Sequence, residues 1–440
     1  MITKENSVKK TLQKHMLADG LDIVMDFENS KASRIVDKLT GKTYLDMFSM
    51  FASGAVGYNH PYILQHQAWL AKYATYKPTL SDIYFEEYAD FLEVFSRVVI
   101  PQELQYCFFI EGGALAVENA LKTAFDWKTR KNRQQGSRIQ ASMVIHFEQA
   151  FHGRSGYTLS LTNTSDPRKY EYFPKFNWPR IINPKLKFPI SEESLATTLE
   201  QEAKALMHIQ EVILANPYQV ACIIIEPIQS EGGDNYFRPE FFQNLRKICD
   251  ENDILLIFDE VQTGIGITGK MFAFQHINVI PDILSFGKKT QVCGILANKE
   301  KLDQVEQHVF KESSRINSTF GGNFVDMLRL KLILEIIENE NLVQNAQKQG
   351  EFLLSGLIKL QESFPDYISN ARGLGLVCAI DLPSTELRNE IQNQLFIEKQ
   401  ILILPCGEKS LRFRPHLNIQ EPDLEEVLSA ISAVVTKDHL

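Results

Sequence analysis

Four short stretches of this 440-residue chain hold side chains that could do chemistry together. Ile110-Glu111-Gly112-Gly113-Ala114 places small residues where an apolar run ends and a helical pattern begins. An anion can approach the backbone there, and a helix start offers unpaired N–H groups and positive partial charge. Phe151-His152-Gly153-Arg154 offers an aromatic face, a flexible glycine and a fixed cation. Asp259 follows the apolar run Ile254–Phe258 and opens Asp259-Glu260-Val261-Gln262. A carboxylate at the end of such a run is partly desolvated and needs a donor or cation to stay ionised. Gly287-Lys288-Lys289-Thr290 follows Ile283–Phe286 and puts two lysines at a strand end. Each stretch alone has a bland reading, as a turn, a loop cation, a loop-capping acid or a solvated lysine. Together they meet the needs of a pyridoxal 5′-phosphate (PLP) site: an amine to bind the aldehyde, an acid for the pyridine nitrogen, a cup for a phosphate dianion and a flat group against the ring.

The elements that must position these groups follow from hydrophobic periodicity. Tyr106–Ile110, Met143–Phe147, Ala221–Ile225, Ile254–Phe258 and Ile283–Phe286 are short apolar runs bounded by charged or glycine-rich sequence, as expected of buried strands in a mostly parallel sheet. Between the first two, Val117, Ala120, Leu121, Ala124 and Phe125 recur at helical spacing. Another helix opens at Pro239 and turns Phe242, Leu245, Ile248 and Cys249 inward. This alternation predicts an open α/β domain with its site at the carboxyl ends of the strands. After Gly321-Gly322-Asn323 the rhythm changes. An amphipathic helix over Phe324–Asn339 leads into a shorter α+β region. The expected division is an N-terminal segment, 1–60, that joins the small domain, a large α/β domain, 61–323, and a small α+β domain, 324–440. Residues 163–216 read as an insertion plus a connecting helix.

Composition excludes other classes. The chain carries 46 basic and 55 acidic residues, a net charge of −9, which does not favour nucleic acid. The apolar runs are too short to span a bilayer. The N-terminus is polar, unlike a secretory signal. Six cysteines are scattered singly, as buried reduced thiols would be. A cytoplasmic protein with no membrane or nucleic-acid partner is expected. Gly264-Ile265-Gly266-Ile267-Thr268-Gly269 spells a dinucleotide motif, but Asp259–Thr263 separates it from the strand and brings two carboxylates with it. The same stretch nearly makes a phosphate loop, except that Met271 stands where a hydroxyl must hold Mg²⁺. No histidine or cysteine spacing supports a metal site.

The runs EGGALAVENALK, FHGRS, IIIEPIQSEGG, LLIFDEVQTG, DILSFGKK, NSTFGGN and LRFRP resemble those of class III (ω-amino acid) aminotransferases, of the PLP-dependent transferase fold type I, over roughly residues 45–420. The phrases FGKKTQVCG and SEGGDNYFRPEFF resemble the branch that takes the ε-amine of L-lysine. The resemblance implies a homodimer in which Lys288 holds PLP and shuttles a proton, with Lys289 as the alternative. It implies that Asp259 pairs with the pyridine nitrogen and Gln262 with the phenolic oxygen. Gly113 and Ala114 would bind the phosphate through their N–H groups, joined by Thr319 of the opposite subunit, and Phe151 would stack on the ring. Arg154 would clamp the substrate carboxylate remote from the reacting amine, and Arg412 the α-carboxylate of 2-oxoglutarate. Glu231 would neutralise Arg412 until that carboxylate arrives, and L-glutamate would leave. Three residues depart from the family pattern: the phosphate cup lacks a hydroxyl, His416 replaces a second proline, and Phe320 stands where lysine-specific relatives carry Trp. Rival readings are ornithine, 4-aminobutyrate or another ω-amine as donor, and a PLP-binding protein without turnover.

Overall fold

The computed structural model describes residues 7–437. Its centre is a seven-stranded sheet made by β1 (Tyr106–Ile110), β2 (Met143–Phe147), β3 (Arg180–Ile181), β4 (Val220–Ile225), β5 (Leu255–Asp259), β6 (Ile283–Phe286) and β7 (Cys293–Ala297). The spatial order is β1-β7-β6-β5-β4-β2-β3. Only β7 runs antiparallel to its neighbours, so the carboxyl ends of the other six strands gather on one edge. β4, β5 and β6 are buried along their whole length, as continuous apolar strands covered on both faces must be.

Helix α1 (Gly113–Gln134) lies across one face and inserts Val117, Ala120, Leu121 and Ala124 against Val144, Ile224 and Ile257. Helix α2 (Glu192–Ala215) and helix α3 (Pro239–Glu251) add their apolar faces to the opposite core. Two expectations are corrected here. The fifth strand runs one residue further than the apolar run, and Asp259 pairs in register with Ser285, so this acid is held in the ladder instead of in the following loop. The stretch 163–216 is more than an insertion and a helix, because Arg180–Ile181 pairs with His146–Phe147 as an edge strand.

Beyond Asn323, whose side chain caps α4 (Phe324–Asn339), α5 (Leu342–Ser363) packs on an antiparallel sheet. That sheet contains β8 (Ser369–Leu374), β9 (Val377–Asp381), β10 (Leu404–Cys406) and β11 (Ser410–Phe413), in the order β8-β9-β11-β10. Thr43–Asp46 pairs with Arg34–Val36 on one side and with Ile401–Leu402 on the other, tying the N-terminal segment to the end of the chain. The glycines at 264–269 open no helix. Gly266 and Gly269 both have φ of +84°, and an added Cβ would stand 3.2 Å from Val343 and 2.8 Å from Gln347. They form the close contact on which α5 docks. Among the described residues no helix is long and apolar enough to cross a membrane, and no cluster of His, Cys, Asp and Glu is placed to hold a metal.

Candidate active site

The strand ends open onto a cavity of about 720 Å³, which Gly113, Ala114, Phe151, Arg154, Glu231, Asp259, Gln262, Lys288 and Arg412 all help to line. Thr319 does not. It lies exposed in the segment before α4, where the neighbouring Phe320 ring sits 4.1 Å from the Lys77 amine.

Asp259 is gripped on both oxygens. Its Oδ1 accepts from the Ser285 hydroxyl (3.1 Å) and the Val261 N–H (3.1 Å), and its Oδ2 meets His152 Nδ1 at 2.7 Å. Burial by itself would lower the His152 pKa, but the carboxylate outweighs it and holds the imidazole above its usual value. His152 Nε2 is buried without a partner among the described residues. Sequence reasoning passed over His152. The signal was available: a strand-end acid in apolar surroundings needs a donor, and His152 lies between two residues already singled out. Glu226 was also missed. It accepts the N–H groups of Phe151 (2.9 Å) and Ser230 (3.1 Å), which ties the Phe151 loop to the sheet. Burial, reinforced by nearby Asp259, pushes its carboxyl up to about 7.

The two lysines separate cleanly. Lys288, at φ of 55°, reaches the cavity and donates to the Phe51 carbonyl at 3.0 Å. Burial, then the Arg412 charge, pushes its amine down to about 8. Lys289 is buried outside the cavity and donates to the carbonyls of Gln262 (2.9 Å) and Ala52 (3.3 Å). The acceptors at 51 and 52 lie on a left-handed turn, Ser49–Ala52, with φ between 41° and 63° at four successive non-glycine residues. Such a turn costs about 1–2 kcal/mol per residue. Strain of this kind persists where surrounding contacts over-determine it, and here it aims successive carbonyls at successive amines.

Gln262 is oriented from behind. Its Oε1 accepts from Arg414 Nε at 3.0 Å, while Asp234 clamps the Arg414 guanidinium at 2.5 and 2.9 Å. With its oxygen occupied, Gln262 has its amide N–H groups left for the cavity. The two arginines of LRFRP thus differ. Arg414 is fully paired, whereas Arg412 is 3% exposed and donates only Nη2, to Glu231 Oε2 at 2.7 Å. Its Nε and Nη1 have no partner among the described residues. Burial by itself would raise the Glu231 pKa, but Arg412 and Lys169 together hold it below the usual carboxylate range. The Arg154 guanidinium is exposed and stands 5.9 Å from the Phe151 ring centre.

The residues present fit PLP. The first turn of α1 has no side-chain cap, so its N–H groups can meet a phosphate. Gly153 brings the loop so near α1 that an added Cβ would sit 2.6 Å from that of Ala114. A lowered amine, a clamped carboxylate, an oriented amide and the apolar walls of Phe151 and Val261 supply the remaining contacts.

Comparison with known proteins agrees with this geometry. The family model for aminotransferase class-III matches residues 17–435. An L-lysine-epsilon aminotransferase of Streptomyces clavuligerus is 46% identical over 98% of this chain and 94% of its own length. A mitochondrial 4-aminobutyrate aminotransferase of Mus musculus is 32% identical over 98% of this chain and 89% of its own. The lysine aminotransferase of M. tuberculosis, solved in its internal aldimine form, superposes with a TM-score of 0.95 at 46% identity, covering 98% of both chains. A cavity built at strand ends for a phosphorylated aldehyde, within a chain matched along nearly its whole length, makes this protein a PLP-dependent enzyme of the class III aminotransferase family.

Proposed function

We propose that the enzyme transfers the ε-amino group of L-lysine to 2-oxoglutarate, releasing L-glutamate and 2-aminoadipate 6-semialdehyde, which cyclises to piperideine-6-carboxylate. The observation that carries this reading is the state of Arg412: a buried guanidinium beside the cavity, half satisfied by Glu231, with two buried nitrogens that have no partner among the described residues. A protein that only stored the cofactor would have no use for it. The relatives add weight, since identity is 46% to the lysine enzyme and 32% to the 4-aminobutyrate enzyme.

Bound in this cavity, PLP supplies the electron sink. Lys288 would hold the aldehyde carbon and then move a proton at the amine-bearing carbon, a task suited to an amine lowered to about 8. Asp259, steadied by His152 and Ser285, would face the pyridine nitrogen, and Gln262 would donate to the phenolic oxygen. Gly113 and Ala114 would hold the phosphate with their N–H groups, and Phe151 would cover the ring. In the first half-reaction Arg154 takes the lysine carboxylate while Glu231 masks Arg412, so the α-end cannot dock there and present the wrong amine. In the second, the acceptor carboxylate claims Arg412 with a planar, bidentate fit.

Thr319, exposed and not part of the lining of its own chain's cavity, would complete the phosphate cup of a second subunit in a homodimer. The division at 1–60, 61–323 and 324–440 is supported by the pairing of Thr43–Asp46 with Ile401–Leu402 and by the Asn323 cap. All six cysteines are free, in keeping with a cytoplasmic site of action. Side-by-side assays with L-lysine, ornithine and 4-aminobutyrate test the donor. L-Lysine should win, and a clear preference for ornithine would replace it.

A further inference from the structure

Glu231 has two cationic partners. Its Oε2 is held by Arg412, and its Oε1 accepts from the Lys169 amine at 2.5 Å. Lys169 comes from the segment before β3 and not from a strand end, and its amine stands 5.9 Å from the Phe151 ring centre. Its side chain is only 17% exposed. It sits on a short turn, Pro167–Lys169, whose start is capped by Asp166 accepting from the Arg168 N–H. Just past that turn, the Tyr170 hydroxyl donates to the Thr164 carbonyl.

Glu231 also forms the wall between two spaces. One is the active-site cavity, and the other is a cavity of about 510 Å³ whose lining includes Lys169, Arg388 and Glu408. A carboxylate that must leave Arg412 therefore has somewhere to go, with a cation already in contact. The geometry points to Lys169 as a positioning residue that keeps Glu231 paired when the acceptor displaces it from Arg412, with the outer cavity as the place the carboxylate turns into.

Charge arithmetic gives the reason. Before the acceptor binds, one carboxylate serves two cations, and Arg412 keeps two unpartnered nitrogens. Once the acceptor docks, each cation has a carboxylate of its own. Without Lys169, the displaced Glu231 would be a partly buried anion stripped of the amine now in contact with it, so it would hold Arg412 and compete with the acceptor. The donor half-reaction asks nothing of the kind, because there Glu231 stays on Arg412. Lys169 thus sets how readily the second carboxylate is admitted, through Glu231 and without touching the substrate.

This inference rests on the 2-oxoglutarate reading above, and the test separates them. Each half-reaction of the holoenzyme is followed by stopped-flow absorbance in wild type, Lys169→Met, Lys169→Arg, Glu231→Ala and the Lys169→Met/Glu231→Ala pair. Lys169→Met should raise the 2-oxoglutarate concentration needed for half-maximal rate by about tenfold or more, the size of one lost charge-assisted contact. It should change the donor half-reaction much less, and Lys169→Arg should restore most of the loss. The pair should be no worse than Glu231→Ala alone. Equal damage to both half-reactions, or additive loss in the pair, overturns the role assigned to Lys169 while leaving the proposed reaction intact. A wild type that does not accept 2-oxoglutarate overturns both.

Discussion

The two halves of the active site are built differently. The cofactor side gathers Gly113, Phe151, Asp259 and Lys288 from the carboxyl ends of four strands of one sheet, braced by the sheet or by buried partners: Asp259 by Ser285, Val261 and His152, and the Phe151 loop by Glu226. The carboxylate side joins Glu231, Arg412 and Lys169 from three distant segments, and its ion pairs leave Arg412 incompletely satisfied. A group that holds one ligand throughout the cycle can be locked. A group that must accept two substrates in turn has to keep a second arrangement within reach, and shared or missing partners keep the two arrangements close in energy.

Substitutions test this contrast. The largest effect is expected at the proposed covalent anchor. Lys288→Ala should abolish both the long-wavelength absorbance of the bound cofactor and turnover, whereas Lys289→Ala should bind the cofactor and show its damage in thermal unfolding. A coloured, active Lys288→Ala protein would break the assignment. Next is Asp234→Ala, which leaves Arg414 as an unpaired buried charge and should cost about 3–5 kcal/mol in denaturant unfolding. Arg412→Ala should instead cost about 1.5–3 kcal/mol in kcat/KM for the acceptor half-reaction, with little change in unfolding. If both arginine sites proved equally important to unfolding, the locked-versus-adjustable distinction would fail.

Two smaller effects refine it. Glu231→Ala should erode discrimination between the ε- and α-amines by about tenfold, roughly 1.4 kcal/mol, readable from the product mixture. The rate of apoenzyme reconstitution with PLP should depend on pH through Lys288. Its amine is lowered to about 8, so the neutral, reactive form grows as pH rises through that value. The rate should gain about twofold between pH 8 and pH 9 and then level off. A rate still climbing tenfold per pH unit above 9 would place the amine in an ordinary solvated setting.

Much of the cofactor side was legible because its chemistry is local in sequence. An apolar run ending in an acid, a glycine pair before a helix and a lysine after a strand each announce a position at the sheet edge, and the parallel topology brings those edges together. His152 was within reach of the same reasoning. Lys169 was not, because a lysine in a polar segment looks solvated until the fold sets it against Glu231. Residue type and spacing alone did not separate Lys288 from Lys289, or Arg412 from Arg414; only the family resemblance ranked them, and the different directions of their side chains appear only in the fold. Neighbouring residues of one type are told apart only by the direction of their side chains. Strand rhythm, cofactor chemistry and family membership can be read from residue order, since periodicity and residue type act over a few positions. The pairing of charges across the cavity, and which carboxyl and amine groups are shifted, emerge only in the folded chain, because burial and Coulomb attraction depend on distances that the chain sets when it closes on itself.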